Sequence, residues 1–232
     1  VRAKSNRFAS IVLLAAVGGC HGAPERPAPE AERVVAPPAA RDAAPGATTP
    51  AAAAPGPGVA DDNTPIPPRA AQQYAQALQS FKADRTTDAE LEFKQLLAAY
   101  PQFVGPQLNL GLLYLRASRL AEAEAAFKAA LKLKPDNPVA GNELGIVERK
   151  LGKFADAEAA YRQTLAAQPN YAPAHLNLGV LYDLYLDEPQ KALDEFERYL
   201  AIVGDNKQVN GWVVELRKRV GAPAAAAKKE PA

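Results

Sequence analysis

Apolar and polar positions along this chain follow two superimposed periods. The shorter is helical, and the longer is marked by Pro101, Pro135 and Pro169, which stand 34 residues apart. The text before each proline is alike: FKQLLAAYPQ, FKAALKLKPDN and YRQTLAAQPNY. The text between them is alike too: PQLNLGLLY, AGNELGIVE and AHLNLGVLY. A period of this length with helical spacing inside it predicts stacked helix-turn-helix units. The expected units run over about 70–103, 104–137, 138–171 and 172–205, within an all-α region of residues 69–205.

Each unit carries small residues in phase. Ala77, Gly111, Gly145 and Gly179 would let the second helix approach the first. Ala89, Ala123, Ala157 and Ala192 would do the reverse, the last one residue late because the turn around DEPQKA is longer. Phe93, Phe127, Tyr161 and Phe196 follow four places on, where they would fill the space between neighbouring helices. A proline cannot continue a helix, so each of the three closes its unit, and Gly204 takes that place in the fourth. Where Tyr114 and Tyr182 stand, the first unit has Ser80 and the third Glu148, which calls for local repacking.

After Gly204 the segment 206–220 reads as one more helix. Val209, Trp212, Val213, Leu216 and Val220 share one face, with charges opposite. A solenoid needs its terminal apolar face covered, so this helix is expected to be a cap with Trp212 in the core, followed by a frayed tail over 221–232.

This pattern resembles the tetratricopeptide repeat. The resemblance implies an α-solenoid whose first helices line a groove for a protein or peptide partner, with no catalysis. Within that groove it implies that Asn109 and Asn177 occupy a position used to bond a peptide backbone. Glu143 replaces asparagine between them, which argues against a full carboxylate clamp. A row of cations, Lys82, Arg116 and Lys150 with Arg149 beside the last, recurs at the same period. That row would either favour acidic partner segments or complement the helix C-termini.

The N-terminus is of another kind. Arg2, Lys4 and Arg7 precede a run of mostly apolar residues, Phe8 to Val17, too short to span a bilayer. Val17-Gly18-Gly19-Cys20 resembles the bacterial lipobox. That likeness implies a signal peptide over 1–19 and a lipid on the only cysteine, Cys20. Gly18 departs from the usual pattern, so an ordinary cleaved signal and a soluble periplasmic protein is the alternative. His21 rather than Asp follows the cysteine, and by the enteric sorting rule this implies the outer membrane, facing the periplasm.

Residues 20–68 then form a Pro/Ala-rich stretch. Twelve of the chain's 21 prolines fall between His21 and Pro68, and no Phe, Trp or Tyr does. Such a stretch cannot bury enough surface to offset its ordering entropy and is expected to be a disordered tether. As a flexible coil it would reach roughly 40 Å, and as polyproline II about 150 Å.

Charge and chemistry narrow the function. With 27 basic and 26 acidic residues the formal charge is +1, which gives no field for nucleic acid. Beyond Cys20 the chain has His21 and His175, the serines Ser80 and Ser118, no Gly-rich phosphate loop and no Cys/His metal spacing. An enzyme, a cofactor and a metal are therefore not expected. Glu124–Lys128, Glu158–Arg162 and Asp194–Arg198 read as i,i+4 pairs on solvated faces. The whole reads as a lipid-anchored adaptor of the bacterial envelope. Proteins of this construction serve pilus or secretin assembly, scaffold cell-wall enzymes, or accompany export and energy-transduction complexes. An enzyme's accessory subunit is a remote alternative.

Overall fold

The computed structural model describes residues 66–221. Residues 1–65, with the leader and Cys20, and residues 222–232 lie outside the described residues, so the readings of signal, lipid site, tether and tail lie outside them too. Among the described residues there are nine helices and no strand. They are α1 (Pro68–Lys82), α2 (Thr86–Ala99), α3 (Val104–Arg116), α4 (Leu120–Leu133), α5 (Pro138–Lys150), α6 (Phe154–Ala167), α7 (Ala172–Leu184), α8 (Pro189–Val203) and α9 (Lys207–Gly221). The all-α repeat architecture expected from the 34-residue period is the one observed.

Short turns of alike geometry fold each second helix back on its first. Asp84, Ser118, Gly152 and Asp187 all adopt left-handed backbone, with φ of 57°, 57°, 76° and 52°. In each, the next amide returns to the preceding helix, as from Arg85 to the Ser80 carbonyl and from Lys153 to the Glu148 carbonyl, both at 2.9 Å. This is the usual left-handed way to end a helix, and only Gly152 reaches it without a Cβ penalty. Between repeats, Tyr100, Lys134 and Gln168 leave the helical region just before Pro101, Pro135 and Pro169, because the proline ring disfavours α backbone in the residue before it. Asn137 caps α5 by accepting the Ala140 amide at 3.0 Å.

The pairs pack by letting rings into gaps. Phe93, Phe127 and Tyr161 are fully buried and Phe196 is 1% exposed. A Cβ on Gly111 would lie 2.6 Å from a Phe127 ring carbon, and one on Gly145 2.5 Å from Tyr161. Gly179 faces Phe196 in the same way, and Ala77 and Phe93, both buried, hold these places in the first pair. Ala89, Ala123, Ala157 and Ala192 are all 0% exposed, so the second helices also present bare backbone to their neighbours.

The stack has an inner and an outer row. Each helix packs on the next in sequence; in addition α3 meets α5 and α5 meets α7, while no comparable contact joins α4 to α6 or α6 to α8. The first helices therefore line the inside of the curve.

The last helix, α9, packs on α8 through Val209, Val213 and Leu216. Asn206 caps it by accepting the Gln208 and Val209 amides at 3.1 Å. Trp212 is half-buried with its ring 5.3 Å from that of Phe196, and Val220 is exposed, so the covered face is narrower than the sequence pattern suggests. The register explains this. Val214 stands where Gly179 stands in the preceding first helix, and it is 52% exposed because no second helix follows α9 among the described residues. Arg217 holds α9 to Glu197 at 2.7 Å, and Arg219 pairs with Asp183.

Candidate protein-binding face

The two asparagines expected in the groove are not open to solvent. Asn109 is fully buried, and its amide nitrogen donates to the Tyr74 hydroxyl at 2.7 Å and the Gly105 carbonyl at 2.8 Å. Asn177 is 3% exposed and donates to Asn142 Oδ1 at 2.9 Å. Both link one first helix to the next: Asn109 spends both amide hydrogens there, and Asn177 spends one and is buried. Glu143 is also buried and accepts from Asn142 at 3.3 Å.

The cations are placed differently. Lys82, Arg116 and Lys150 are the last residues of α1, α3 and α5, and all three side chains are exposed. The Arg116 guanidinium lies 4.2 Å above the Phe81 ring, so it bridges the first two repeats. Arg149 is half-buried instead. It donates to the Tyr185 hydroxyl at 3.0 Å and sits 5.3 Å from that ring's centre, in the next repeat. It belongs to the packing more than to an open row. In α7 the row ends in Leu184.

One turn earlier on the same helices stand Leu78, Leu112, Ile146 and Val180, again one period apart. Leu112 is half-buried, and the other three are buried. The first-helix face thus has a covered apolar floor and a cationic edge.

Two of the three ionic pairs that the sequence assigned to solvated helix faces belong to the seam between repeats. Glu90, Glu124 and Glu158 recur at the 34-residue period on α2, α4 and α6. Glu90 takes Lys94 at 2.6 Å from its own helix, and from the next repeat Arg119 at 2.6 Å and the Tyr114 hydroxyl at 3.1 Å. Glu124 takes Lys128 at 2.6 Å and, across the seam, Lys153 at 2.7 Å. Glu158 takes Arg162 at 3.0 Å and the Tyr182 hydroxyl at 2.8 Å. Hydrogen bonds from Arg119 and Lys94 hold the Glu90 carboxyl down at about 2. Glu148 replaces the tyrosine of this seam in the third repeat, and as an acceptor it turns to Lys128 at 3.3 Å; burial raises its pKa. Ser80, in the first repeat, accepts from Arg85 at 2.9 Å. The third pair expected from sequence, Asp194–Arg198, does not form: Asp194 accepts from Gln190, and Arg198 reaches Glu195 at 3.6 Å.

His175 is buried between Glu195 and the Pro169 carbonyl. Among the described residues no group of three or more His, Cys, Asp or Glu could hold a metal ion, and no helix is long and apolar enough to cross a membrane.

Comparison with known proteins agrees with the architecture. A crystal structure of MamA superposes with a TM-score of 0.58 at 22% identity, over 62% of this chain and 84% of that one. A double mutant of MamA from RS-1 gives 0.60 at 17% identity, over 67% and 87%. A tetratricopeptide repeat protein from Parabacteroides merdae gives 0.58 at 18% identity, over 65% and 60%. No curated protein matches the sequence. The family model for the tetratricopeptide repeat matches residues 74–138 and 142–207, more than half of the chain. With its paired helices, its gap-filling rings and its 34-residue register, this chain belongs to the tetratricopeptide repeat family, whose solenoids serve as protein-interaction scaffolds.

Proposed function

We propose that this protein is an adaptor tethered by lipid at Cys20 to the bacterial outer membrane, where its repeats hold a protein partner in the periplasm during envelope assembly. The observation that carries this reading is the order of segments: a basic and apolar leader ending in Val17-Gly18-Gly19-Cys20, then a Pro/Ala-rich stretch, then a repeat solenoid. Two or more acyl chains on Cys20 would give stable anchoring where one chain would be marginal. The 20–68 stretch would let the solenoid search tens of ångströms from the bilayer. Pilus or secretin assembly, cell-wall enzyme scaffolding, and export or energy-transduction complexes all suit such a device. The departure at Gly18 favours one second reading, a soluble periplasmic binding module with the same groove.

The partner surface on this reading is the inner, first-helix face. Metabolic labelling with a palmitate analogue should mark the protein, and Cys20→Ser should erase the mark; label that survives in the variant overturns the lipid anchor. A photo-crosslinking residue at Leu112, on the first-helix face, should capture an envelope protein that one at Lys132, on α4, does not. Equal capture from both positions, or none from Leu112, overturns the adaptor reading.

A further inference from the structure

We infer that the solenoid yields at its third repeat: α5 and α6 open more readily than the pairs on either side, and repeats one and two swing there against repeat four.

The course of the core points to this place. In a solenoid each repeat packs only on its neighbours, so the ends rather than the middle are expected to loosen. Here the buried apolar side chains form two bodies. One runs from Ala70 to Val147 and includes Ala160; the other joins Ile146, Ala157 and Tyr161 to residues of α7, α8 and α9. Both bodies end inside the third repeat. Among the described residues Leu115 is the one half-buried apolar side chain packed against both.

Polar groups replace apolar packing where the two bodies meet. Asn142, Glu143, Glu148 and Thr164 are all buried in this repeat. Asn142 stands where Leu108 stands one repeat earlier, Glu148 where Tyr114 and Tyr182 stand, and Tyr161 where Phe127 and Phe196 stand. The Tyr161 ring lies over Gly145, and its hydroxyl reaches on beside Arg149. Neither that hydroxyl nor Arg149 Nε completes a hydrogen bond, and Glu148 Oε2 lacks one too. Buried polar groups of this kind gain partners when water enters, so opening costs less here than across an apolar pair.

The seam to the next repeat changes sign at the same place. Arg119 and Lys153 hold the N-cap positions of α4 and α6 and reach across the seam to Glu90 and Glu124. The N-cap of α8 is Glu188, which pairs with Lys191 of its own helix. Among the described residues Glu158 therefore receives no cation from the fourth repeat. Hydrogen bonds cross instead, from Tyr182 to Glu158, from Asn177 to Asn142 and from Arg149 to Tyr185. Such bonds can be exchanged for bonds to water at small net cost. A joint of this kind lets the first-helix face change its curvature while the pairs on either side stay folded.

The test is native-state hydrogen exchange on the full chain. Protection should dip in α5 and α6 and rise again in α7 and α8, whereas a uniform stack is most protected in its middle. Glu148→Tyr/Tyr161→Phe gives the third repeat the residues of its neighbours and should slow exchange in α5 and α6 by about tenfold or more. Glu188→Arg, which puts a cation opposite Glu158, should slow exchange in α6 and α7. The swing is read by spin labels on Gln72→Cys and Gln208→Cys in a Cys20→Ser chain. Their distance distribution should narrow when Glu148→Tyr, Tyr161→Phe and Glu188→Arg are added. Highest protection in α5 and α6 overturns the inference, as does exchange unchanged in both variants, or a distance distribution equally wide with and without the three substitutions. Should Glu148→Tyr prevent folding, Tyr161→Phe alone, which asks for no new partner, must still slow exchange in α5 and α6.

Discussion

Raising the pH from 6 to 9 should loosen the fourth repeat through His175. Nδ1 of that ring lies 2.6 Å from Glu195 Oε2, and Nε2 lies 2.8 Å from the Pro169 carbonyl oxygen. Both partners are acceptors, so both ring nitrogens bond fully only when both carry hydrogen, as in the imidazolium. Burial disfavours that charge, and Arg198 opposes it weakly. Hydrogen bonds to Glu195 and to the carbonyl outweigh both, so the folded pKa is raised above 6.5. The sign follows from proton counting. Between the unfolded and folded values the native state holds more proton, so this stability is complete below about 6.5 and is lost as pH rises through the folded value. One proton limits the slope to about 1.4 kcal/mol per pH unit.

Glu148, whose pKa burial raises, is common to the native chain and the His175 variant. Glu90 titrates at about 2, and the half-buried Tyr171 and the buried Tyr182 are pushed up to about 12. Urea unfolding of the full chain at intervals from pH 6 to 9 should show the decline. His175→Gln, whose one uncharged amide nitrogen cannot serve the acceptors on both sides of the ring as the imidazolium does, should be about 1–3 kcal/mol less stable at pH 6. Its deficit should shrink as the pH rises. His21 is present in both proteins, so the difference between their profiles isolates His175. Parallel profiles would falsify the imidazolium assignment, and hydrogen exchange in α7 and α8 that stays constant over this range would sink the claim that the fourth repeat responds.

Gly145→Ala should destabilise: overpacking against the fully buried Tyr161 costs about 1–3 kcal/mol, only partly offset by a helix-propensity gain of up to about 1 kcal/mol. Gly211→Ala in α9 meets open space and should instead stabilise by up to about 1 kcal/mol, so denaturation midpoints in the reverse order would refute the packing argument. Glu124→Gln should cost about 1–2 kcal/mol, because Lys128 and Lys153 lose a charged acceptor that is 13% exposed. Those two lysines depress the Glu124 pKa, so this stability is present above its unfolded value and is lost as pH falls; a Gln deficit that does not shrink on acidification counts against the seam. Leu216→Ala should cost about 2–5 kcal/mol and raise hydrogen exchange first in α8 and α9, since a terminal repeat contacts only one neighbour; uniform loosening of all repeats would contradict that order.

The repeat was legible because its determinants are local in phase: ring, small residue and proline recur every 34 residues, and each has one steric task. The late Ala192 was legible too, since the fourth turn spans one residue more than the others. Side-chain occupancy was not legible. Asn109 and Asn177 read as groove donors, but the close approach of first helices spends them on Tyr74 and Asn142. Glu124 and Glu158 read as partners within one helix, but they, like Glu90, are shared with residues 24 to 29 positions on, a distance that helical periodicity does not report. The 34-residue recurrence of these glutamates, with Arg119 and Lys153 repeating in step, was the available signal.

The sequence by itself determined the fold, because turn chemistry and ring-into-gap packing act between residues a few turns apart. Tertiary structure decided which charges remain for a partner. Two lysines of one chemical type diverge in fate when stacking brings a carboxylate to one and not the other. Lys128 is held by Glu124 and Glu148, whereas among the described residues Lys82 and Lys150 end their helices with no carboxylate of a neighbouring repeat paired to them.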